Sequence, residues 1–191
     1  MLEEFIQLDK EVFLFLNGLG TETWDGFWMY LSEKISLITI PLYVFLLFLS
    51  YKSFGLKKTG ILLVSIALMI TCTDQLANFF KYGVGRFRPC HDEEIRSLMR
   101  LVKSYCGGKY GYFSAHAASS FALASFFTIL FKTSFKFLIP FLLIWALLVS
   151  YSRIYIGVHF PLDVLTGLAM GFLLGWIFAK LYIFATFKFK A

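Results

Sequence analysis

Apolar residues fall in five long blocks separated by short polar segments, at roughly 35–51, 60–80, 114–131, 135–155 and 162–184. Each block approaches the about 20 residues that a helix needs to cross the hydrocarbon core of a bilayer. The first block starts better near Trp24 if Glu33 and Lys34 sit at the interface. Pro41 and Pro140 lie inside blocks, which predicts kinks there, with neighbouring helices satisfying the freed carbonyls. Residues 2–17 carry apolar positions at helical spacing but too many charges to cross, so they read as an amphipathic helix in the interface, with a short sixth span as the alternative. The expected fold is an all-α, polytopic transmembrane helical bundle of about five to six spans with an N-terminal amphipathic helix. Residues 1–34 form the interfacial helix and lead-in, and residues 35–191 the transmembrane domain.

Small residues mark where helices approach closely. Gly167, Gly171 and Gly175 form one stripe on the last block, and Ser114, Ala118 and Ala122 form another on the third. Composition agrees with the pattern: 59% of residues are hydrophobic and 16% charged, whereas a water-facing domain keeps about a quarter charged. The net charge of +6 does not imply nucleic-acid binding, because the basic residues are divided between the two sides of the bilayer.

Five spans put the N-terminus and the loops 81–113 and 153–160 on one side. The Lys and Arg counts of the two sides nearly tie. The loops around Lys52, Lys57, Lys58, Lys132 and Lys136 and the tail with Lys180, Lys188 and Lys190 hold no acid, however, and this side is expected to be cytoplasmic. Cys90 and Cys106 then lie outside, where a disulfide persists; a bridge and two free thiols are both open readings.

Polar groups collect at the span ends on the outer side: Lys81, Arg88, Ser114, His116, Arg153, His159 and Asp163. Ionisable groups at membrane depth are costly, which makes function their default explanation. Guanidinium forks and an ammonium match phosphate oxygens. Ser114 is a favoured N-cap residue whose helix would point free N–H groups, Ala115 among them, at a bound anion. His159 and Asp163 stand at i and i+4, so a carboxylate can fix one imidazole nitrogen and leave the other free to attack. If the helix starts only near Pro161, loop geometry must close that pair instead. His116 remains to give a proton to the leaving group. Arg86 and His91 carry no argument beyond proximity and read as structural or solvated; Asp74 and Asn78, on one face below Lys81, read as polar packing, with orientation of Lys81 as the alternative.

In order, the chain gives K-x6-R-P (Lys81, Arg88, Pro89), S-x-H (Ser114, His116) and S-R-x5-H-x3-D (Ser152, Arg153, His159, Asp163). This resembles the type 2 phosphatidic acid phosphatases, integral-membrane lipid phosphatases related to vanadium haloperoxidases. The resemblance covers residues 60–184 well and the first 59 poorly. The family's middle signature is usually P-S-G-H, where this chain has Phe113-Ser114-Ala115-His116.

The resemblance implies His159 as nucleophile supported by Asp163, a phosphohistidine intermediate, and His116 as proton donor. It implies Lys81, Arg88, Ser114, Ala115 and Arg153 as phosphate ligands, with neither metal nor cofactor. The expected substrate is a lipid phosphate or diphosphate, with undecaprenyl diphosphate or phosphatidylglycerol phosphate favoured over lipid A or phosphatidic acid. The expected place is a bacterial inner membrane, multi-pass, with the active site facing the periplasm or cell exterior. A transporter for an anionic solute is the rival class, but it needs basic residues spread through the depth of several spans. A metal-dependent hydrolase is disfavoured by the three histidines and the lack of a recurring ligand spacing.

Overall fold

The computed structural model describes residues 2–33 and 35–188; Lys34, named at the start of the first apolar block, and Lys190, named in the charge comparison, lie outside them. It is all-helical: α1 (Leu2–Gly18), α2 (Glu22–Leu31), α3 (Thr39–Val84), α4 (Ala115–Phe131), α5 (Leu138–Tyr155) and α6 (Pro161–Lys188), with a 3-10 turn at Pro89–His91. Among the described residues, β pairing is limited to an isolated bridge between Phe87 and Tyr110.

The helix α3 contains two of the expected spans. Straight, its 46 residues would reach about 69 Å. Instead, Gly55 adopts φ 78° and ψ 173°, a conformation that costs little only without a Cβ. Tyr43 and Ile66, on either side of this break, line the same cavity, although 23 helical residues would separate them by about 35 Å. The chain therefore folds back at Gly55. Among the described residues, three helices, α3, α5 and α6, are long and apolar enough to cross a membrane, and α4 is a shorter apolar helix. With α3 folded on itself, the five apolar blocks all find a helix. The expected kinks at Pro41 and Pro140 are absent from the interior positions where they were placed. Both prolines fall in the first turn of their helices, α3 and α5, where the missing N–H has no intrahelical partner to lose.

The two small-residue stripes face each other. A Cβ on Gly171 would stand 2.3 Å from the Ala118 carbonyl oxygen, and one on Gly167 2.7 Å from that of Ser114. α4 and α6 thus approach backbone to backbone, which brings Ser114 beside the start of α6, where its N–H donates to the Asp163 carbonyl at 2.9 Å. The central core holds Leu46, Leu62, Met69, Phe126, Phe131 and Leu142. The outer surface keeps Phe79, Phe141, Phe172, Trp176 and Phe184 exposed, a distribution suited to lipid rather than water.

α1 buries Asp9, Phe13 and Asn17, one i, i+4, i+8 stripe, and exposes Phe5, Leu8 and Phe15. Asn17 ties it to the bundle: Nδ2 donates to the carbonyls of Arg100, Ile154 and Tyr155 at 3.0, 3.2 and 2.8 Å, and Oδ1 accepts from Arg100 N at 2.7 Å. Ion pairs from Lys10 to Asp92 and from Arg100 to Asp25 anchor the long 85–114 loop to α1 and α2.

Candidate active site

The site forms where the ends of α3, α5 and the beginnings of α4 and α6 converge. α3 stops at Gly85, whose left-handed conformation (φ 66°) lets its N–H return to the Lys81 carbonyl and leaves Lys81 in the last turn. The chain beyond pairs with 109–111: Arg88 N donates to Lys109 O at 3.1 Å and Gly111 N to Arg86 O at 2.9 Å. The Arg88 side chain is held by carbonyls, Nε on Tyr110 O at 3.2 Å and Nη1 on Cys106 O at 3.4 Å. Cys106 is paired with Cys90, their Cα atoms 6.1 Å apart, a separation that a disulfide bridges without backbone movement.

His159 precedes α6, so loop geometry and not a helix face builds its pair with Asp163. The Arg153 carbonyl, at the end of α5, accepts from both Val158 N and His159 N at 3.1 and 3.2 Å. Gly157 (φ 82°) makes this reversal possible, and a Cβ there would stand 2.5 Å from the Arg100 carbonyl oxygen. α6 then starts with Pro161 at its first position. Asp163, two residues on, reaches back to accept from Phe160 N at 3.1 Å, the acid half of a capping box. Its Oδ2 stands 3.5 Å from His159 Nδ1, with both side chains buried. Nε2 is therefore the nitrogen left for chemistry.

Lys81, Arg88, Ala115, His116, Arg153 and His159, with Asp74 and Asn78, line one polar cavity of about 290 Å³. Asp74 and Asn78 are thus in the cavity wall and not merely in packed surroundings. Ser114 is buried and caps α4, its side chain accepting from Ala117 N at 3.5 Å. Arg153 is buried, with Nη1 donating to Ser32 Oγ and Nε without a hydrogen-bond partner among the described residues. Lys103, on the overlying loop, was not singled out from the sequence. Burial, followed by repulsion from Arg153 and Arg88, lowers its pKa, so it shares the field of the cationic cluster. Burial first, then Arg88, Arg153 and Lys81, push the His159 pKa well below 6.5. The imidazole is held neutral, the state in which it can attack.

A second, apolar cavity of about 500 Å³ runs between α3, α4 and α5, lined by Tyr43, Leu46, Leu62, Ile66, Leu123 and Trp145 among others. His116 lines both cavities; His159 lines only the polar one.

Arg86, read from the sequence as structural or solvated, is engaged on both arms. Nη1 donates to Asp163 Oδ1 at 2.9 Å and Nη2 to Asp9 Oδ2 at 2.5 Å, and its guanidinium lies 4.2 Å from the Phe160 ring centroid. Asp9 also accepts from Leu162 N at 2.9 Å. A signal existed in the sequence: Asp9 shares the Phe13 and Asn17 stripe of α1, an acid on a face otherwise fit for packing.

Comparison with known proteins gives the family. A family model for the PAP2 superfamily matches residues 58–187. The chain belongs to the PAP2 superfamily. It is 38% identical over 180 residues to a lipid A 4'-phosphatase of Bacteroides thetaiotaomicron, covering 93% of this chain and 78% of that protein. An undecaprenyl-diphosphatase of Sulfolobus acidocaldarius is 31% identical, covering 92% and 77%. The crystal structure of Aquifex aeolicus LpxE superposes with a TM-score of 0.64 at 26% identity, covering 89% of this chain and 93% of the other. This PAP2 chain is a membrane lipid phosphatase, and the transporter reading falls away.

Proposed function

We propose that this PAP2 phosphatase removes a phosphate monoester from a lipid A-type glycolipid, with His159 as nucleophile. The carrying observation is His116, which lines both the cationic cavity and the apolar cavity. A phosphate held by Lys81, Arg88, Arg153 and the Ser114–Ala115 helix start would direct its lipid oxygen toward His116 and its far face toward His159. In that pose His159 Nε2 forms a bond to phosphorus while the phosphorus–oxygen bond to the lipid breaks, and His116 protonates the departing oxygen. Water, giving its proton to His116, then displaces the phosphoryl group from His159 as inorganic phosphate. The cations stabilise the charge spread over the equatorial oxygens, which is most of what phosphoryl transfer requires.

The sequence alone favoured undecaprenyl diphosphate or phosphatidylglycerol phosphate. The 38% identity to a lipid A 4'-phosphatase favours the alternative, and the undecaprenyl-diphosphatase at 31% keeps the diphosphate as second reading. Phosphate release in detergent from lipid A, undecaprenyl diphosphate and phosphatidylglycerol phosphate separates them. We expect lipid A to be turned over fastest, with activity surviving excess chelator and blocked by vanadate. A preference for the diphosphate would make the second reading the function, and loss in EDTA restored by a divalent ion would sink the metal-free mechanism.

The site is further proposed to face the periplasm of a bacterial inner membrane, with residues 1–34 lying on that surface. Its basis is the acid-free loops around Lys57 and Lys132. In a Cys90→Ala/Cys106→Ala background, an impermeant thiol reagent should label Lys109→Cys in intact spheroplasts and Lys57→Cys only after lysis. The reverse pattern would invert the topology.

A further inference from the structure

The Asp163 carboxylate has its two oxygens assigned to different partners. Oδ2 faces His159 Nδ1 at 3.5 Å and Phe160 N at 3.1 Å, while Oδ1 is taken by Arg86 Nη1 at 2.9 Å. Turning the carboxylate plane part-way about the last side-chain bond would break both sets of contacts. The Phe160 N–H and Arg86 oppose that rotation together, one oxygen each. It does not line the phosphate cavity, although Arg88 two residues later does. The difference lies in its partners: Asp9 holds Nη2, and the Phe160 ring covers the guanidinium face.

A bound phosphate beside three cations would attract a free guanidinium as well, and an Arg86 drawn to it would abandon Asp163. A carboxylate on the opposite arm prevents this. Asp9 is itself fixed, because Oδ1 accepts from Leu162 N at the start of α6 and α1 is pinned by Phe13 against Phe160, with ring centroids 5.3 Å apart. Gly111 lets the segment carrying Arg86 and Arg88 come this close, since a Cβ there would lie 3.2 Å from Asp163 Oδ2 and 3.1 Å from Arg88 Cγ.

We infer that Asp9 and Arg86 are positioning residues for the phosphatase reaction: Asp9 on α1 holds Arg86 away from the phosphate, and Arg86 holds Asp163 in the orientation that aligns His159. This rests on the reading of His159 and Asp163 given above, and it makes the N-terminal helix part of the catalytic apparatus.

The test uses the full-length chain in detergent, with Arg86→Ala, Arg86→Lys, Asp9→Asn and the Asp9→Asn/Arg86→Ala pair assayed on lipid and on p-nitrophenyl phosphate. Loss of the outer partners that orient histidines at metal sites costs about 10–100-fold, and we expect a loss of similar size in kcat for Arg86→Ala. KM and the vanadate inhibition constant should change less than about threefold, because uniform phosphate binding is untouched. Guanidinium ion added to Arg86→Ala should restore activity at least about fivefold, and the restoration should vanish in the double variant, which lacks the carboxylate that seats the ion. Asp9→Asn alone should lose about tenfold in kcat, and it should add no further loss to Arg86→Ala, since it acts only through that side chain.

A rise in KM and in the vanadate constant as large as the fall in kcat would overturn the inference, making Arg86 a phosphate ligand. Independent, multiplying effects of the two substitutions would overturn it as well. If Arg86→Ala does not fold, Asp9→Asn carries the same kcat-against-KM prediction, and a wild-type kcat there ends the proposal. A wild-type chain that releases no phosphate from any lipid would bring down the phosphatase reading beneath it, whereas an active wild type with unaffected variants overturns the positioning role alone.

Discussion

His159→Ala should abolish phosphate release from every lipid and from p-nitrophenyl phosphate alike, by at least about 10⁴-fold, because loss of a nucleophile removes the reaction path and not merely its efficiency. The side chain is buried beside Asp163, with Nδ1 facing the carboxylate, and it lines the cationic cavity. Its protonation state carries a separate check. Burial and the charges of Arg88, Arg153 and Lys81 disfavour the imidazolium, so the pKa sits well below 6.5. A nitrogen-15 titration of the three histidines, with His91→Gln and His116→Gln used for assignment, should find His159 still neutral at pH 6. Arg88→Gln removes one cation, which favours the protonated form, so the midpoint should move up. Residual activity within tenfold of wild type in His159→Ala would remove it as nucleophile, and a midpoint near 6.5 in the wild-type chain would remove the cationic cluster as its neighbour.

The residues readable from sequence were those whose partners are set by local spacing or by a span end. Lys81 and Arg88 flank one turn; Ser114 and His116 open one helix; Arg153, His159 and Asp163 lie within eleven positions. Membrane depth did the rest, since a charge there needs a reason. The apolar blocks and the Gly and Ala stripes were readable for the same cause, a period that helix geometry imposes. For Arg86 and Asp9 the stripe on α1 marked Asp9 at most and never the pairing, because their contact joins residues 77 positions apart. Arg153 with Ser32 is a similar case, with 121 positions between them. The prolines misled for another reason: a sequence marks a proline inside an apolar block but not which turn of the helix it occupies, and Pro41 and Pro140 occupy first turns. Substrate identity was the least legible. The apolar cavity is assembled mainly from α3, α4 and α5, and apart from Glu33 and His116 its lining side chains are those that any membrane helix carries.

That cavity gives His116 its second expected effect. Because His116 alone among the histidines lines both the polar cavity and the apolar one, the proposed pose puts it where the bond between phosphate and lipid breaks. A sugar or glycerol alkoxide leaves poorly unless it is protonated as it departs, an advantage of typically about 10²–10⁴-fold. A nitrophenolate, or a phosphate leaving from a diphosphate, is far less basic and departs with little help. His116→Ala should therefore lower turnover of lipid A or phosphatidic acid by about 10²-fold or more, and that of p-nitrophenyl phosphate by less than about tenfold. His116→Gln, which can donate a hydrogen bond but not a proton, should behave like the Ala variant on lipids, separating acid catalysis from simple contact. Equal losses on lipid and aryl phosphates, in protein with an unchanged melting temperature, would mean that His116 binds phosphate and that another group supplies the proton.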